Sequence, residues 1–263
     1  MIELQQTAAA IYLAAGVGAL MGIALPSARA SRGAVWGLAL GALVQAAALA
    51  TLHRLDPVPS LTSLPLAVSF MVWVAVLFLL AFMWRVRLTG LAAVAGPVAF
   101  LAVFLASLGV PAEGMPSIGS DGPFPHAHVL LSSAGLGLLG VSGIAGVFFL
   151  LEHRRIKRKQ MVSRGFRLPS LEALDRVNVT ALAVGFPLLT LGVVTGSAWL
   201  LSAKGIAWSG SGHETWTVIA WGIYAGLTVA RFAGHQGARQ AAASAVAGFV
   251  FLLFAVVGVE WLA

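Results

Sequence analysis

The sequence predicts an all-α fold: a polytopic integral membrane helix bundle of about eight transmembrane helices, with both termini outside. Three observations carry this reading. Hydrophobic residues make up 59% of the 263-residue chain and charged residues 10%, and mean hydropathy is +0.94, a composition far from that of soluble domains. Apolar runs of the roughly 20 residues needed to cross a bilayer core recur along the whole chain. All 16 Lys and Arg except Arg54 and Lys204 fall in alternate links between these runs, as expected when short cytoplasmic loops retain positive charge.

The predicted spans lie near residues 6–26, 34–53, 65–84, 89–110, 127–152, 177–203, 214–233 and 240–262. The first starts with Glu3 and no basic residue, which is the wrong beginning for a signal peptide, so it reads as a retained span. Between the fourth and fifth, residues 111–125 are rich in Gly and Pro, include Glu113 and Asp121, and read as an outer loop. The fifth span opens at His126 and His128 and carries Gly135, Gly137, Gly140, Gly143 and Gly146. Small residues at that density let helices approach closely. Residues 153–176 form a basic cytoplasmic loop, either a topology determinant lying on anionic headgroups or a docking surface for a soluble partner. In the sixth span Pro187 is expected to loosen the helix about one turn from Gly192. An outer tryptophan-containing loop, 204–213, then leads to the seventh span, which Glu214 is expected to cap. With no soluble domain in view, residues 1–263 read as a single transmembrane domain.

Composition also narrows function. The formal charge of +7 is accounted for by topology and is no footprint of nucleic acid. The chain contains no Cys, so it cannot itself exchange disulfides or hold an iron–sulfur cluster. No phosphate loop, dinucleotide fingerprint or nucleophile with a neighbouring base is present, so the chain does not read as an enzyme with its own catalytic constellation. No acidic or basic residue falls in mid-span, which counts against an ion-coupled transporter. No His falls there either, which counts against a b-type electron relay.

Two groups of residues on the outer side remain. Trp199, Trp208, Trp216 and Trp221 cluster in and around the 204–213 loop, and such a cluster serves either as an interfacial belt or as a platform for a planar ligand. His53, His126, His128 and His213 fall on the same side, with His153 and His235 on the other. His126 and His128 are two residues apart and do not share a helix face, so they do not form the two axial ligands of one iron.

The spacing of Gly196, Trp199, Gly205, Trp208, Glu214, Thr215, Trp216 and Trp221 resembles the tryptophan-rich signature of the cytochrome c assembly family, which contains CcsA, CcmC and HemX-like proteins. The resemblance extends to Gly185, Phe186, Pro187, Thr190 and Gly192, to His128 and Val129, and more faintly to Pro59, Leu61 and Thr62. It implies a membrane haem-handling protein of cytochrome c biogenesis that binds or presents haem b at the extracytoplasmic face of a bacterial cytoplasmic membrane. His128 matches the family's outer histidine and is the expected iron ligand. His53 or His213 is expected as its mate, with Trp199, Trp208 and Trp216 against the macrocycle and Lys204 or Arg54 meeting propionates. Implied partners are an apocytochrome c and a CcsB-like membrane protein. There are also departures: Lys204, Gly210 and Ser211 stand where fuller signatures have further tryptophans and an Asp, His213 replaces a Lys, and Val229 replaces a His. A further family histidine would lie beyond Ala263. These departures resemble the HemX-like branch, for which the alternative is a regulator of haem synthesis acting through a cytoplasmic partner such as glutamyl-tRNA reductase.

Overall fold

The computed structural model describes residues 1–25, 27–54, 63–85, 89–109, 123–159 and 169–255. Among the described residues eight α-helices follow in chain order: α1 Ile2–Ala24, α2 Ala28–Ala50, α3 Leu64–Arg85, α4 Thr89–Gly109, α5 Pro123–Lys157, α6 Leu171–Lys204, α7 Gly212–Phe232 and α8 Ala238–Leu253, with a 3-10 turn at Thr51–Arg54 after α2. No strand occurs among the described residues. Helices α1 to α6 are long and apolar enough to cross a membrane, and the chain is an integral membrane protein. Polar groups and glycines dilute the apolar stretch of α7, and α8 is an apolar helix of 16 residues among those described. Leu61 and Thr62, the 111–122 part of the outer loop and residues 160–168 of the basic loop lie outside the described residues.

The helices group into two compact units, Met1–Ser120 with Lys159–Ser170, and Asp121–Arg158 with Leu171–Ala263. In the first unit, α1 packs against both α2 and α4. Its contact with α4 is so close that a Cβ on Gly96 would fall 2.6 Å from Gly16 Cα and from the Tyr12 carbonyl oxygen. A buried polar chain ties three helices together. Tyr12 donates to Gln45 Oε1 at 2.7 Å, and Gln45 Nε2 donates to Ser69 O at 2.9 Å and Oγ at 3.1 Å. Burying an amide without partners is costly, so this network both satisfies and orients the groups it joins.

In the second unit, α5 and α6 form an antiparallel pair in close contact along much of their length. His128 lies opposite Gly196, Ser132 opposite Gly192, Gly135 opposite Leu189, Leu138 opposite Gly185, and Ser142 opposite Asn178. At 1.5 Å per residue the 35 residues of α5 extend about 52 Å. That exceeds a hydrocarbon core of about 30 Å, so His128 sits near one end while Arg154, Arg155 and Lys157 occupy the last turn at the other. Near that basic end, Arg231 of α7 grips Asp175 of α6 through both carboxylate oxygens at 2.8 and 2.9 Å, and also donates to Gln236 O.

The α5–α6 contact makes a differential prediction. A Cβ at Gly135 would lie 2.6 Å from Leu189 N, whereas one at Gly222 meets nothing within 4 Å. Gly135→Ala should therefore destabilise the detergent-solubilised protein by about 1–3 kcal/mol. Gly222→Ala should be neutral or stabilising by up to about 1 kcal/mol from helix propensity. Thermal unfolding of the two variants reads the difference directly.

Candidate functional site

The outer end of the α5–α6 pair, as assigned from the sequence, holds His128 in a fixed pose. Its Nδ1 lies 2.8 Å from the carbonyl oxygen of Gly192. A carbonyl only accepts, so Nδ1 carries the proton and the lone pair of the neutral ring is on Nε2. The same carbonyl accepts from Thr195 Oγ1 at 3.0 Å, and Ser132 Oγ stands 3.4 Å from Nδ1. The glycines make this approach possible. A Cβ at Gly196 would come 2.7 Å from His128 Nδ1 and 2.9 Å from Cε1, and one at Gly192 would collide with Ser132. Beside the imidazole stands Trp199, with ring centroids 6.3 Å apart and planes tilted by 35°.

Beyond Lys204, the last residue of α6, the chain turns through two left-handed glycines. Gly205 has φ +70° and donates to Leu201 O at 2.9 Å, closing the helix; Gly210 has φ +73°. Between them Ile206 and Trp208 are exposed, Trp208 at 47%. The sequence reading expects Glu214 to cap α7, but the cap is Ser211, whose hydroxyl accepts from Glu214 N at 3.3 Å. The Glu214 carboxylate instead fastens the loop, accepting from Ser209 N at 2.7 Å and from Ser209 Oγ. Glu214 precedes the apolar stretch of α7. Slight desolvation acts to raise its pKa, but hydrogen bonds from Ser209, Gly210 and Ser211 outweigh it and hold the carboxyl below its ordinary range. This clasp is therefore complete at neutral pH and is lost only as pH falls through that lowered value.

The four tryptophans divide between two tasks. Trp199 faces His128 and Trp208 is exposed in the loop, whereas the other two bind helices together. Trp221 donates to Thr190 Oγ1 at 3.0 Å and stacks on Phe186, joining α7 to α6. Trp216 packs against Phe251 at 5.9 Å and edge-on to Phe254 at 5.4 Å, joining α7 to α8. His126 is exposed two residues before the half-buried His128. His53 belongs to the first unit and His213 to the first turn of α7 in the second; their side chains, and that of Arg54, lie outside the described part. Thr195 and Ser209 are contributors that the sequence reading did not single out, and Ser132 figured in it only as a small packing residue. The spacing of Gly192 and Gly196, one helical turn apart, was the available signal.

Residues 61–263 match the cytochrome c assembly protein family, a stretch that includes His128, both glycines that cradle it and the whole loop. The chain belongs to that family. Among curated members, it is 30% identical over 199 residues to the cytochrome c biogenesis protein CcsA of Prochlorococcus marinus (strain MIT 9313), covering 65% of this chain and 63% of that protein. It is 26% identical over 224 residues to the CcsA of Guillardia theta, covering 77% and 73%. Over a shorter stretch of 93 residues it is 41% identical to the CcsA of Gloeobacter violaceus (strain ATCC 29082 / PCC 7421), covering 35% and 27%. The chain thus spans less than two thirds of the length of the first of these relatives.

The histidine pose has a spectroscopic consequence that needs no ligand. In ring-15N-labelled, ligand-free protein above the imidazole pKa, His128 should show the Nδ1–H tautomer. Gly196→Ala, whose methyl displaces the ring from the Gly192 carbonyl, should lose that preference while the other histidines keep their shifts.

Proposed function

We propose that this member of the cytochrome c assembly family is a haem-handling protein of cytochrome c biogenesis. It holds haem b at the extracytoplasmic face of a bacterial cytoplasmic membrane, with Nε2 of His128 as an iron ligand. The observation that carries the reading is the hydrogen bond from His128 Nδ1 to the Gly192 carbonyl. Histidines that bind metals almost always donate their other ring N–H to such an acceptor, which fixes the tautomer and raises ligand basicity. The donor set suits a porphyrin, which supplies four of the iron's ligands, so that one or two histidines complete it. Among the described residues no group of three or more His, Cys, Asp or Glu is placed to hold a bare ion.

The remaining residues take complementary roles. Trp199 flanks the histidine, exposed Trp208 offers an apolar face, and Lys204, exposed at the end of α6, is the charge partner for a propionate. His53 or His213 would be the second histidine to hold the haem. Trp216 contributes by holding α7 to α8, which keeps the loop's far end in place. Haem b brings the vinyl groups that become thioethers in a c-type cytochrome. This chain has no Cys, so the thiols belong to an apocytochrome partner, and a CcsB-like membrane protein is the second expected partner. The gathering of Arg154, Arg155 and Lys157 at the opposite end of α5 supports placing the His128 end outside.

A second reading rests on that same basic end. It projects past the span of a bilayer core and offers a contact for a cytoplasmic partner, as a HemX-like regulator of haem synthesis requires.

Absorption spectra of the purified protein, as isolated and after haem addition, test the main reading. A Soret band with low-spin visible bands is expected, lost in His128→Ala and weakened in either His53→Ala or His213→Ala. Gly196→Ala, which disturbs only the orientation of His128, should weaken haem affinity by about 10–100-fold. Absence of specific haem uptake by the intact chain would overturn the assignment and leave the regulatory reading ahead.

A further inference from the structure

The second unit contains a small cavity far along α6 from His128, walled mostly by apolar atoms that include Leu182, Leu227 and Ala245. Ser142 of α5, Asn178 of α6, Tyr224 and Arg231 of α7, and Ser244 of α8 line it. Asn178 and Tyr224 are 2% and 1% exposed. The orientation of the Asn178 amide is settled by its partners, since its Nδ2 donates to Ser142 O and Oγ, both at 3.1 Å, and a carbonyl cannot accept from Oδ1. Asn178 Oδ1 therefore points away from Ser142, and neither it nor the Tyr224 hydroxyl has a hydrogen-bond partner among the described protein groups. Two buried polar atoms without partners, on residues that line one cavity, would each carry a desolvation cost.

The two units solve the same problem differently. In the first, the Tyr12 hydroxyl reaches the Gln45 amide oxygen directly at 2.7 Å, while the amide nitrogen binds Ser69. In the second, a tyrosine, an amide and a serine line one cavity, and Asn178 is one methylene shorter than a glutamine. The space is about 10 Å³, which is about what the centre of one water molecule needs. Helix α8 is shaped to admit the tyrosine, since a Cβ at Gly248 would lie 3.2 Å from Tyr224 Cζ and 3.3 Å from its hydroxyl. Arg231 contributes no net charge because Asp175 holds it in a bidentate pair. The site is therefore suited to a small neutral ligand.

We infer that this cavity is a binding site for a single water molecule, which accepts from the Tyr224 hydroxyl and donates to Asn178 Oδ1. The water completes a polar link from α5 through α6 to α7, where the first unit uses a direct side-chain contact. It makes Tyr224 a positioning residue for α7, the helix whose opposite end carries Ser211 and Glu214.

The sign of one substitution tests this. Tyr224→Phe keeps the ring and removes only the hydroxyl. If the hydroxyl binds water, the melting temperature of the detergent-solubilised full chain should fall, by about 2–4 °C, and the fall should shrink markedly in an Asn178→Ala background. A dry cavity predicts an unchanged or higher melting temperature, because a buried unpartnered hydroxyl has been removed, and that result would overturn the inference. A fall of equal size in both backgrounds would overturn it too, since the two side chains would then share no bridge. The infrared difference spectrum between the intact chain and Tyr224→Phe gives a second readout that does not depend on melting. A hydrogen-bonded phenol band is expected, and a free hydroxyl stretch would refute the site.

Discussion

The close approach of α5 and α6 is the constraint from which most of the second unit follows. Between helices immersed in lipid there is no hydrophobic driving force, so association depends on packing and on the few available hydrogen bonds. Gly135, Gly185, Gly192 and Gly196 line the contact and bring the backbones near enough for a side chain of one helix to reach a carbonyl of the other. At one end this produces the contact of His128 with Gly192; further along, it produces the pairing of Asn178 with Ser142. The histidine site and the polar link are two uses of one packing arrangement.

The same arrangement sets the chemistry of the site. A histidine at the end of a membrane helix is ordinarily a solvated side chain free to take either tautomer. Here the carbonyl selects one, and the absence of a side chain at Gly196 makes room for the ring to reach it. The loop beyond α6 is fixed by comparable means. Two left-handed glycines define its turns, Ser211 caps the following helix, and the Glu214 carboxylate fastens Ser209. Trp208 is thereby displayed on an ordered loop. Trp216 and Trp221 anchor the helix that follows, through Phe251, Phe254 and Thr190.

Much of this was legible in the chain beforehand, and the exceptions share a cause. Helix positions follow from long apolar runs, because a bilayer leaves few alternatives to a helix. Gly205 and Gly210 announce turns, and the glycines of α5 announce close packing. What linear spacing could not reveal is which tryptophans stand beside His128 or in the loop and which bind one helix to another, since all four sit at similar distances from the loop. The pairing of Asp175 with Arg231, separated by 56 residues, was likewise invisible: Arg231 reads in sequence only as one more inner-side positive charge. Glu214 was correctly placed at a helix start, yet its hydrogen bonds go backwards to Ser209, a choice made by the loop's turns.

The sequence by itself therefore determined the membrane character and the order of the helices, because those depend on composition and on apolar periodicity that each segment carries alone; His128 became a candidate only through its match to the family's outer histidine. The tertiary structure alone decided the ring nitrogen that His128 presents, the division of labour among Trp199, Trp208, Trp216 and Trp221, and the small cavity lined by Asn178 and Tyr224. These depend on distances between helices, and such distances arise only when glycines from one helix meet backbone atoms of another.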